Sequence, residues 1–165
     1  MYSGVTGGSW YANHGGGANP LCLPMDPLWG TYNAAVAKTS TLYGAEYESP
    51  SGFDFKNVGG RTAHDHNIPC VVCHSRTKSS SLMIPARNRC YGDWNVEYNG
   101  YLMSGNPGHA GRSHFICMDG SPESDPAGFR DENGVMFYNV EGVCGSLPCP
   151  PYVPRREITC VVCTK

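Results

Sequence analysis

The apolar positions of this chain fall in short runs that alternate with polar ones and rarely return at helical spacing. Such runs cover Ser9–Asn13, Ala18–Leu23, Thr41–Glu48, Cys70–Ser75, Ser81–Ile84, Val96–Met103, Ser113–Met118, Val135–Val140 and Glu157–Thr164. Period-two patterning bounded by Gly, Pro, Asn and Asp predicts β-strands. Gly7-Gly8, Gly15-Gly16-Gly17, Gly59-Gly60 and Gly105-Asn106-Pro107-Gly108 predict turns, and Asn133-Gly134 ahead of an apolar run gives a two-residue hairpin signal. The one short helical candidate is Asn33 to Thr39. The expected fold is all-β with little helix.

The pattern is also written twice. His14 and His109, Cys22 and Cys117, Tyr43 and Tyr138, and Glu46 and Glu141 are each 95 positions apart. Tyr2-x-Gly4 recurs at Tyr98-x-Gly100 with an offset of 96, and Cys70-Val71-Val72-Cys73 recurs at Cys160-Val161-Val162-Cys163 with an offset of 90. Equal offsets over several residue types point to an internal duplication. The polar stretch Lys78-Ser79-Ser80-Ser81 lies between the copies and divides the chain into repeats 1–80 and 81–165. Each is short for independent folding, so two pseudo-symmetric subdomains sharing an interface are expected.

Composition narrows the class. Charged residues make up 16 % of the 165 and the net charge is −2, which gives no electrostatic case for nucleic acid or an anionic membrane. No apolar run reaches 18 residues, so no membrane-inserted helix is expected. With 21 Gly and 13 Pro the chain is rich in turns, yet 40 % hydrophobic content is too much for disorder. Nine cysteines fit either an oxidised extracellular protein or a four-thiolate zinc site built from the two Cys-x2-Cys pairs. The Val-Val spacers belong in strands and favour disulfides. Parity leaves one thiol over. Cys144 and Cys149 lack counterparts but are close enough in sequence to pair. Cys90 lies eight residues before Tyr98, and its counterpart would precede Met1, which suggests an N-terminally trimmed first repeat.

The run Arg87-Asn88-Arg89-Cys90-Tyr91-Gly92-Asp93-Trp94, the short Cys144-x4-Cys149 loop and the closing Ile158-Thr159-Cys160-Val161-Val162-Cys163 carry a resemblance. So do Gly8-Ser9-Trp10-Tyr11, Gly15-Gly16-Gly17-Ala18-Asn19 and Gly145-Ser146-Leu147-Pro148-Cys149. Together they resemble the C-terminal regions of short-chain, spongin-type collagens of marine invertebrates. More distantly they resemble the tandem repeat of the type IV collagen non-collagenous domain. The resemblance implies the pairs Cys22–Cys70, Cys90–Cys163, Cys117–Cys160 and Cys144–Cys149, and leaves Cys73 as the free thiol.

Candidate chemistry is polar and non-catalytic. Neither Gly-x-Ser-x-Gly, His-Glu-x-x-His nor a phosphate-cradling loop occurs, so no enzyme and no cofactor are expected. Sugar recognition needs a flat aromatic for the apolar face of a pyranose and polar groups that fix its hydroxyls. Trp10 and Trp94 could stack, and His14, Asn19, Asp65, His66, Arg87, His109 and Arg112 could supply hydrogen bonds. The alternative for the aromatics is a core short of aliphatics. Arg87 is read either as an anion or hydroxyl donor or as a partner for Glu46 or Glu141. His64, Asp65 and His66 offer metal donors for zinc or calcium, but a polar loop with an Asx turn is the favoured reading and no metal is expected. The expectation is a secreted lectin-like module binding glycans or glycoproteins, two related sites per chain included. The alternative is a matrix-assembly domain that oligomerises its parent collagen-like chain.

Overall fold

A computed structural model describes residues 1–31, 40–48 and 63–165. The helical candidate at 33–39 and the Gly59-Gly60 turn lie outside these residues. The described chain is all strand: β1 (Tyr2–Gly8), β2 (Leu21–Pro24), β3 (Tyr43–Tyr47), β4 (Pro69–Val72), β5 (Ser81–Pro85), β6 (Asn95–Ser104), β7 (Ile116–Asp119), β8 (Val135–Asn139) and β9 (Thr159–Thr164). They join in one sheet along the path β2-β1-β3-β8-β6-β9-β5, with β4 added to β1 and β7 to β6.

Each half is organised around one strand. β1 pairs antiparallel with β2, β4 and β3, and β6 pairs antiparallel with β7, β9 and β8. The registers correspond position by position. Gly4 opposes Pro24 and Cys70, and Gly100 opposes Asp119 and Cys160. Gly8 opposes Tyr43 as Ser104 opposes Tyr138. The Tyr2 hydroxyl donates to the Cys22 carbonyl at 3.0 Å, and the Tyr98 hydroxyl to the Cys117 carbonyl at 3.1 Å. The glycine of each Tyr-x-Gly is explained by crowding. A Cβ on Gly4 would stand 1.8 Å from the Leu23 carbonyl oxygen, and one on Gly100 would stand 1.9 Å from that of Met118.

The halves meet through a parallel pair in which Ala45, Glu46 and Tyr47 oppose Val135, Met136 and Phe137. One core serves both: Ala45, Tyr47, Ala63 and Ile68 pack with Met103, Met118, Val135 and Phe137. The loop after β6 docks across the same seam, where Gly111 N–H donates to the Tyr11 carbonyl at 2.7 Å and His114 N–H to that of Ala18 at 2.9 Å.

Disulfides join Cys22–Cys70, Cys90–Cys163, Cys117–Cys160 and Cys144–Cys149, the pairs that the resemblance implies, and Cys73 is free and exposed. With Cys70, Cys160 and Cys163 so engaged, the four-thiolate zinc reading is excluded. Local expectations are corrected, and the expected Gly7-Gly8 turn lies inside β1. Ser9–Asn13 is a turn closed by Asn13 N–H to the Trp10 carbonyl at 3.0 Å, and the first strand is the glycine-rich Tyr2–Gly8 instead. Asn133 does take a left-handed conformation (φ 53°), but β8 pairs with β3 and β6, neither of them reached by a two-residue hairpin.

Candidate functional site

The second half carries a cleft of about 680 Å³ between the loop following β6 and the end of β8. That volume lies within the usual range for small-molecule sites. The loop is preorganised by its own polar groups. Gly108 N–H donates to the Asn106 side-chain oxygen at 2.9 Å, and Gly105 N–H donates to Ser113 Oγ at 2.7 Å. On the facing wall, Val140 N–H donates to the Leu102 carbonyl at 3.0 Å and fixes the exit of β8.

Unspent hydrogen-bonding capacity is concentrated here. Both amide atoms of Asn139 and the Nδ1 of His109 are buried without a partner among the described residues. Buried polar groups are normally paired, and each unpaired one costs about 1–3 kcal/mol. The His109 ring lies between Tyr11 and Tyr138, with centroids 4.7 and 5.6 Å away. Arg112 and Glu141 line the cleft from exposed positions, and Phe115, 60 % exposed, gives it an apolar surface. Burial first, then the charges of Glu48, Tyr11 and Asp65, push the Tyr138 phenol up to about 12.

The positions 95 residues earlier do not form the same surface. Gly17 stands for Arg112 and Gly44 for Asn139. Glu46, the counterpart of Glu141, is turned inward and accepts the N–H groups of Glu132 at 3.0 Å and Asn133 at 3.1 Å. The cleft walled by Arg112 and Asn139 therefore has no matching surface at the positions 95 residues earlier.

The nine candidate residues are dispersed. His109 and Arg112 line the cleft, and with Asn19 they also line a smaller recess at the seam. Trp10 is engaged with Tyr11 and Tyr43, at centroid distances of 5.3 and 6.1 Å, as seam packing. His14 is exposed on its loop, and neither it nor Trp94 lines the cleft. Arg87 pairs with neither Glu46 nor Glu141. It stacks 3.8 Å from the centre of the Tyr91 ring beside a separate surface cleft and donates to the Arg89 carbonyl. Asp65 and His66 belong to a turn after position 62, where His66 Nδ1 lies 2.9 Å from the His64 carbonyl. Asn139 and Glu141 were not singled out as ligands by sequence reasoning. The usable signal was the difference between repeats, Gly44 against Asn139.

Among the described residues no helix is long and apolar enough to cross a membrane. No family model, curated protein or solved structure matches the chain.

Proposed function

We propose that this chain is a secreted, non-catalytic carbohydrate-binding module with one site, the cleft walled by His109, Arg112, Asn139 and Glu141. The observation that carries this reading is the unpartnered Asn139 amide, with a donor and an acceptor both unused beside an otherwise ordered cleft. Vicinal sugar hydroxyls present the complementary donor–acceptor pair. Arg112 and Glu141 extend that pattern at the rim, and Phe115 offers a surface for the C–H face of a pyranose. Four disulfides in a chain of this size suit an oxidising, extracellular setting.

A second reading, assembly of a collagen-like matrix chain, draws on the resemblance and on one structural asymmetry. β9 is flanked by β6 and β5, whereas β4 pairs among the described strands with β1 alone. An unpaired strand edge is a template for another chain.

A glycan array followed by calorimetric titration of the best ligand tests the proposal. Asn139→Ala is expected to weaken binding at least tenfold, which corresponds to about 1.4 kcal/mol, without lowering thermal stability, because the amide is unpaired in the free protein. His14→Ala should bind like the wild type. A stable trimer that binds no glycan on the array would replace the lectin reading with the assembly one.

A further inference from the structure

We infer that Glu48, His64 and Asp65 form a binding site for a divalent zinc-type cation, separate from the cleft. Glu48 follows the last residue of β3, and the turn 63–66 runs back beside that strand. Tyr47 N–H donates to the His66 carbonyl at 3.1 Å, and Asp65 N–H donates to the Tyr47 carbonyl at 3.0 Å. These bonds set Glu48 across from His64. The left-handed conformation of Asp65 (φ 59°) accompanies its carboxylate's position on the other side of the imidazole. His64 Nδ1 lies 3.5 Å from Glu48 Oε2, and His64 Nε2 lies 3.4 Å from Asp65 Oδ1. One donor atom from each residue lies within 4.8 Å of the others, and to share one imidazole nitrogen the carboxylate at the far edge of the ring must swing round to the other.

The independent observation is the state of Glu48. It is 8 % exposed, and among the described residues its one ion-pair contact is the half-exposed His64 ring. A carboxylate removed from water needs charge compensation and hydrogen bonds, and this one has little of either. Glu46 and Asp131 add negative potential without being available as ligands. Glu46 is occupied by the backbone of Glu132 and Asn133, and Asp131 accepts from the Asn133 amide. One imidazole nitrogen with two carboxylates suits zinc better than calcium or magnesium, which prefer all-oxygen shells. Three protein ligands leave a fourth position for water. The site ties chain position 48 to positions 64 and 65 at the seam. It differs from the His64-Asp65-His66 set suggested by the sequence, because His66 is held to the backbone and Glu48 takes its place.

The test uses the full chain stripped with EDTA, titrated calorimetrically with Zn²⁺, and titrated in parallel with Co²⁺ as a spectroscopic probe. One equivalent is expected to bind, at least tenfold more weakly to His64→Ala and Glu48→Gln. His66→Ala and Cys73→Ser should bind as the wild type does. Glu48→Gln removes a buried charge, so a loss of binding in that variant, with its circular dichroism spectrum unchanged, is not a loss of fold. Absence of Zn²⁺ uptake up to millimolar concentration would overturn the inference. So would undiminished uptake by His64→Ala, or a Co²⁺ thiolate charge-transfer band that disappears in Cys73→Ser.

Discussion

Tyr47 is 2 % exposed, and its hydroxyl donates to the Glu123 carbonyl at 2.6 Å. Burial, reinforced by the nearby acids Glu123 and Asp119, raises its pKa well above the ordinary value of 10. Tyr98 is raised by burial and then by Asp119, and Tyr138 is pushed up to about 12. A phenol whose folded pKa exceeds its unfolded one holds its proton more tightly in the fold. Its contribution to stability is complete below pH 10 and is lost as pH rises toward the folded value, about 12 for Tyr138. Phenolate absorbance is therefore expected to lag in the native protein behind the same chain in guanidinium, and to catch up as the fold opens under alkali. Superimposable native and denatured titration curves would refute this. The histidine and arginine of the cleft were visible in the sequence because His109 repeats His14 and Arg112 follows it closely. Asn139 was not, since an asparagine at the end of a strand has no local mark. Its burial without a partner depends on how β8 leaves the sheet beside the loop from β6.

At the scale of strands, alternation located eight of the nine strands among the described residues, because each of those has branched or aromatic residues on a half-buried face. β1 was missed for a physical reason. Its sequence Tyr-Ser-Gly-Val-Thr-Gly-Gly has little side-chain surface to alternate, and its glycines serve close approach to a neighbouring strand. Trp10 and Tyr11 imitated a strand next to it, but their apolar surface is spent on the seam. The crowding at Gly100 makes a sharp test. Gly100→Ala is expected to cost about 1–3 kcal/mol or more by forcing β6 and β7 apart, whereas a Cβ at Gly44 meets nothing within 4 Å, so Gly44→Ala should be nearly neutral. Denaturant unfolding of both variants checks this, and equal midpoints would show that the β6–β7 approach is not tight. Gly4→Ala is the matching control in the first half, since the Leu23 carbonyl crowds it in the same way.

At the scale of the molecule, the matching registers of β1 and β6 invite a symmetric picture that the seam does not obey. Counting 95 positions, Ala45 corresponds to Val140, yet it lies opposite Val135, a slide of five residues. That slide makes the halves unlike. It delivers Glu46 to the backbone of Glu132 and Asn133, while its counterpart Glu141 remains exposed at the cleft. The 95-position spacing was legible in the sequence. The slide was not, because a parallel pairing between distant strands is set by how two apolar faces fit, not by any local pattern. The core at the seam is built from both halves. Met103 and Phe137 are fully buried against Ala45, Tyr47 and Ile68. Calorimetry should accordingly show a single unfolding peak, with Phe137→Ala lowering it as a whole by about 3–5 kcal/mol. Two resolvable peaks, or a Phe137→Ala variant that destabilises residues 81–165 while leaving the first half unchanged, would mean that the halves fold apart. In that case the single-site consequence drawn from the seam would no longer follow.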